Sequence, residues 1–123
     1  MPRSIDSKGL KNEFLRRIAV ALQDKPCCSL RELSRKLLVS PRTIQNAVKA
    51  VAGKKFRDLR DEVLLERVKN LLASAPNATI KELCFETGYR SARAFPRAIR
   101  RACGISPRQL RARIAKQMLA YKN

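Results

Sequence analysis

The chain has 123 residues, with 28 lysines and arginines against 10 aspartates and glutamates, no histidine and a formal charge of +18. That length fits one domain, or two small subdomains sharing a helix, because either half alone would bury little apolar surface. Such a charge repels itself unless a polyanion is near, and nucleic acid is the usual one; no apolar run approaches the ~20 residues of a membrane span, the start lacks the apolar core of a signal peptide, and without histidine neither catalytic triads nor mixed His/Cys zinc sites can form. The expectation is a cytoplasmic, non-enzymatic protein with no cofactor.

In chain order, residues 1–9 read as a disordered start. A first helix follows over about Leu10–Gln23, where Phe14, Ile18 and Leu22 form an i, i+4 stripe and Pro26 closes the segment. Cys27 and Cys28 lie in the turn after it; with Cys84 and Cys103 they match neither a paired C-x-x-C metal pattern nor a spaced disulfide framework. They read as small packing residues, with a redox role for the adjacent pair as the sharper alternative. A helix pair then begins with Leu30 and Leu33 and a small residue at Ser34, where a second helix crosses closely. Ser40 is an N-cap candidate for that second helix, Ile44 and Val48 give it one buried stripe, and Gly53 ends it. Next, about Phe56 to Ser74 reads as a long helix burying Phe56, Leu59, Val63, Val68, Leu71 and Leu72, stopped by Pro76 and Asn77.

The helix pair then recurs. Ile80, Glu82, Leu83, Cys84 and Tyr89 repeat Leu30, Glu32, Leu33, Ser34 and Val39 at an offset of fifty; Ser91, Phe95, Ile99 and Gly104 repeat Ser40, Ile44, Val48 and Gly53 at about fifty-one, Arg90 being the extra turn residue. Ser91 is the second N-cap candidate. Ser106 and Pro107 open a last helix with Leu110, Ile114 and Met118 in line. The fold class is therefore all-α: seven helices forming two helix-turn-helix subdomains joined by a long linker helix. The expected boundaries are 10–55 for the first subdomain, 56–75 for the linker and 76–123 for the second subdomain with its C-terminal helix. A linker of about eighteen residues at ~1.5 Å rise spans roughly 27 Å, close to one ~34 Å turn of B-DNA, so that both reading helices reach successive major grooves. The alternative to helix-turn-helix is an ordinary helical hairpin repeat, but two copies do not make a solenoid. Charge is uneven as well, since no acidic residue follows Glu86 while basic residues continue from Arg90 to Lys122.

Several ordered motifs give a resemblance that covers about Leu10 to Arg113. They are Ser40-Pro41-Arg42-Thr43-Ile44-Gln45, Gly53-Lys54-Lys55-Phe56, Leu65-Glu66-Arg67-Val68-Lys69-Asn70-Leu71-Leu72, Thr79-Ile80, Glu86-Thr87-Gly88-Tyr89 and Gly104-Ile105-Ser106-Pro107. Together they resemble the AraC/XylS-type bacterial transcription regulators. The resemblance implies a seven-helix domain that binds asymmetric promoter sites in double-stranded DNA and contacts RNA polymerase; two reading helices on one chain lead to the expectation of a monomer on DNA. It implies either a stand-alone member controlled by its abundance or the DNA-binding part alone. Five residues in four places depart from the family pattern, Pro96 most seriously. Leu38 stands where the turn usually has glycine, Asn46 where arginine is common, Leu64 where arginine is usual and Arg60 where an apolar residue is usual. Pro96 lies in the second reading helix, and its cost largely disappears if that helix starts near Ala94 or Phe95.

Carried over by position, the base-reading candidates are Arg42, Gln45 and Asn46 in the first unit, and Arg93 and Arg97 in the second. Arginine suits guanine N7 and O6, glutamine and asparagine suit adenine N6 and N7, and Ala92 and Ala94 offer only apolar contact to a thymine methyl. Ser40, Thr43, Lys49, Ser91, Arg100 and Arg101 are the backbone candidates. Two other functions stay open, a non-specific architectural nucleic-acid-binding protein and a polymerase-interacting module. Against the first stands the scarcity of stacking aromatics, only Tyr89 and Tyr121 beside four phenylalanines that mostly look buried.

Overall fold

A computed structural model describes residues 7–89, 91 and 93–122, with side chains for 12–89, 91 and 93–120. Seven helices occur among these residues, and no strand: α1 (Ser7–Asp24), α2 (Leu30–Leu37), α3 (Pro41–Ala52), α4 (Phe56–Ser74), α5 (Ile80–Glu86), α6 (Ala94–Cys103) and α7 (Pro107–Lys122). Helix one begins earlier than the expected Leu10, so residues 7–9 of the segment read as disordered are helical, while residues 1–6 lie outside the described residues. The chain divides into two compact units between Arg60 and Asp61, within α4 rather than at its ends.

In the first unit α3 packs on α1 and α2. Ile18, Leu22, Leu33, Ile44 and Val48 are fully buried, with Ala21, Ala47, Cys28 and Phe56 nearly so. These are the i, i+4 stripes that periodicity places inside, with Phe14 only half-buried at the edge. Ser29 starts α2 with a reciprocal cap: its hydroxyl accepts from the Glu32 N–H at 3.1 Å and the Glu32 carboxylate accepts from the Ser29 N–H. The Lys25 ammonium donates to the same carboxylate at 2.6 Å. That contact raises the Lys25 pKa above its ordinary 10.5 and holds Glu32 below its ordinary 4.5. At Cys27 and Cys28 burial pushes the thiols upward, which keeps them protonated and takes support from a redox role.

The second unit has one apolar core, in which Leu64, Val68 and Leu72 of α4 meet Leu83 of α5, Phe95, Ala98 and Ile99 of α6 and Leu110 of α7. This corrects the expected inward face of α4. Leu64, one of the departures from the family pattern, is fully buried, whereas Val63 and Leu71 are half-buried. Asp61 lies on the same stripe, one turn before Leu64, and is only 3% exposed. It meets the guanidinium of Arg101 in a fork, Nε donating to Oδ2 at 2.6 Å and Nη2 to Oδ1 at 3.0 Å. Thr87, fully buried at the end of α5, donates its hydroxyl to the Leu83 carbonyl at 2.9 Å. Ser106 caps α7 reciprocally with Gln109, and Arg111 donates to the Ala78 carbonyl at 3.0 Å, tying α7 to the loop before α5. Leu110 is buried at the start of the expected α7 stripe, while Ile114 and Met118 are half-buried.

Candidate nucleic-acid interface

The two turns that join the helix pairs are built alike. The N–H of Val39 donates to the Ser34 carbonyl at 3.1 Å, and the N–H of Tyr89 donates to the Cys84 carbonyl at 3.1 Å, fifty residues on. Each 6→1 bond needs a left-handed residue just before it. In the second unit that residue is Gly88 at φ 83°, and in the first it is Leu38 at φ 59°, ψ 40°. The first turn therefore keeps the left-handed conformation that glycine usually supplies and strains the leucine that stands there. In the second turn the Cys84 thiol donates to the Tyr89 carbonyl at 3.4 Å, and the Tyr89 ring meets Phe95 edge-on at 5.9 Å. Cys84 and Cys103 are thus half-buried thiols that donate to carbonyls, Cys103 to Ile99.

Ser40 is the N-cap of α3, accepting from the Thr43 N–H at 3.2 Å, with Pro41 in the first helical position. From there 3.6-residue periodicity separates the faces. Ile44, Ala47 and Val48 point into the core, and Arg42, Thr43, Gln45, Asn46 and Lys49 are all exposed. The structure thus brings the five first-unit candidates beyond the cap onto one open face. Ser40 Oγ is already engaged, lying 2.9 Å from Thr43 Oγ1 as well as capping the helix.

The second unit departs from its copy. α6 starts at Ala94, so Pro96 is its third residue, inside the first turn, where a helix N–H has no intrahelical acceptor in any case. The first bond of the helix runs from the Arg97 N–H to the Arg93 carbonyl at 3.3 Å. Ser91 is not the N-cap. That place falls to Arg93, which has no cap of its own, and the Ser91 hydroxyl reaches forward to accept from the Arg93 and Ala94 N–H groups at 3.2 and 3.3 Å. Arg93 is therefore off the regular helix, as a late start requires. Arg93, Arg97 and Arg100 are exposed, while Phe95, Ala98 and Ile99 are buried. Arg101, expected at phosphate, is engaged with Asp61, whose nearly buried carboxylate on α4 offers it a two-pronged acceptor. Ala92 and the extra turn residue Arg90 lie outside the described residues, as do the side chains of Tyr121 and Lys122. Sequence reasoning missed the Asp61 and Arg111 contacts and the role of Thr87. Position alone could have flagged Asp61, an acid on the apolar stripe of α4.

A family model described as a helix-turn-helix domain matches residues 33–113, well over half of the chain. The chain belongs to the AraC-type helix-turn-helix family. Two solved structures share its fold. The C-terminal domain of AraT, a response regulator from Geobacillus stearothermophilus, is 28% identical at a TM-score of 0.67, the match covering 79% of this chain and 82% of that one. A DNA-binding transcriptional dual regulator from Escherichia coli K-12 is 20% identical at a TM-score of 0.63, covering 81% and 90%. No curated protein sequence matches the chain. As an AraC-type domain this is a sequence-specific transcription regulator whose partner is double-stranded DNA, and the family's domain is a binding domain rather than an enzyme. Among the described residues no group of side chains could hold a metal ion, and no helix is long and apolar enough to cross a membrane.

Proposed function

We propose that the protein reads DNA as a monomer with α3 and α6, each entering a major groove of an asymmetric site about two helical turns long. In the first unit Arg42 reads guanine while Gln45 and Asn46 read adenine; Thr43 and Lys49 hold phosphate, with Ser40 confined to its cap. In the second, Arg93 and Arg97 read bases, and Arg100 and the Ser91 backbone region hold phosphate. The observation that carries this reading is the division of α3, with Ile44, Ala47 and Val48 buried and Arg42, Thr43, Gln45, Asn46 and Lys49 all exposed on the other side. Action in the bacterial cytoplasm on the nucleoid, and a contact with RNA polymerase, follow from the same family reading.

Competition binding tests it. A regulator of this kind prefers one duplex by ~10³-fold or more over random DNA, and an architectural protein does not. Sedimentation of the complex checks stoichiometry, since an obligate dimer on a palindrome would contradict the monomer.

A further inference from the structure

Where α3 ends and α4 begins, the first unit carries an open groove of about 480 Å³. Leu30 and the buried Phe56 form its apolar wall, and Gln45, Lys49, Lys55, Arg57 and Arg60 supply the rest. Every charged side chain lining it is positive. Three cations elsewhere in this unit do have acidic partners, Arg16 with Glu13, Lys25 with Glu32 and Lys36 with Asp24. None of the four groove cations has an acidic partner within 4 Å among the described residues. Arg60 is held with its guanidinium carbon 5.9 Å from the centre of the Phe56 ring, and its Nε is shielded without a hydrogen-bond partner. Four unneutralised cations gathered in one concavity repel one another, and a polyanion threaded through it removes that repulsion.

Which polyanion is decided by continuity. Gln45 and Lys49 belong both to this groove and to the exposed face of α3, so whatever lies against the reading helix runs on into the groove. We propose that the groove seats the phosphodiester backbone flanking the bases read by α3, with Lys55 and Arg57 as phosphate ligands beyond the reading helix. Lysine contributes a point charge and arginine a planar fork, and both suit phosphate. The proposal rests on the reading of α3 as a major-groove helix, and it lengthens the footprint of the first unit along one strand.

The test replaces the exposed pair, Lys55→Gln with Arg57→Gln, in the full chain. Binding is measured across a salt series to a duplex that the protein has selected from a random library and to a random duplex. Each phosphate contact contributes about 0.9 to the slope of log affinity against log salt, so the double variant should lose about 1.8. Affinity should fall by the same factor on both duplexes, with the preference ratio and the thermal melt unchanged. A duplex with neutral methylphosphonate linkages flanking the site should weaken the wild type and leave the double variant nearly indifferent. An unchanged slope overturns the proposal; so does a methylphosphonate penalty that persists in full in the variant, which would mark only a long-range field. Failure of the α3 reading looks different, because the wild type itself would then show no preference between duplexes.

Discussion

Replacing Leu38 by glycine should stabilise the first unit, although it deletes a whole side chain. Leu38 occupies the left-handed region at φ 59°, ψ 40°, where the Cβ of an L-residue crowds the following carbonyl at about 1–2 kcal/mol. Its side chain is 89% exposed, so truncation forfeits almost no burial. Glycine brings a more disordered unfolded chain, an opposing effect of about 0.4–1 kcal/mol. The difference is a gain of about 0.5–1 kcal/mol, which for a unit of this size raises the melting temperature by about 2–8 °C. Thermal unfolding followed by far-UV circular dichroism, together with a urea midpoint at unchanged slope, measures it. Leu38→Ala is the control, because alanine keeps the Cβ and the strain and should melt within a degree or so of the wild type. A glycine variant that melts at or below the wild type would refute the reasoning and place the dominant energy of this turn elsewhere.

Arg101→Ala should cost the second unit about 3 kcal/mol in urea unfolding, because Asp61 is left buried without its partner, while replacing both residues by leucine should recover much of the loss. Pro96→Ser should be nearly neutral in the same assay, since a proline in the first turn of α6 gives up no hydrogen bond. Arg42→Ala should cost about 1–3 kcal/mol on the preferred site and relax preference at one base pair, whereas Lys49→Ala should weaken all duplexes alike and lower the salt slope by about one, as quantitative binding to both duplexes will show. The Glu32 pKa is depressed on folding, so its contribution is present above pH 4.5 and is lost as pH falls through the depressed value; the difference in melting temperature between wild type and Glu32→Gln should accordingly close in acid.

Helix positions were largely legible because the apolar stripes are regular and their ends carry strong signals. Phe56–Ser74 is closed by Pro76 and Asn77, and α3 is bounded by Ser40, Pro41 and Gly53, so local chemistry alone marks these ends. The exposed face of α3 follows from the same periodicity. Less legible were features that depend on distant partners. Arg101 reads in sequence as one more cation in a basic run, and only tertiary packing brings its guanidinium to a carboxylate forty residues away. Ser91 looks like a cap in the right place, but with Pro96 in its first turn the helix starts late, at Ala94, and the hydroxyl then serves two N–H groups from further upstream. Phe85 is one of four phenylalanines that mostly look buried in sequence, yet it is 80% exposed. On a short helix, phase is a weak guide, since a helix of seven residues spans barely two turns.

The Asp61–Arg101 pair also bears on how the protein comes off DNA. Contacts between exposed cations and phosphate dissolve as counterions accumulate, but a pair whose carboxylate is shielded from solvent is screened far less. Concentrated electrolyte should thus release the duplex while α6 keeps its anchorage to α4. A molecule eluted in brine returns to dilute buffer with that reading helix still in place, ready to rebind without a refolding step.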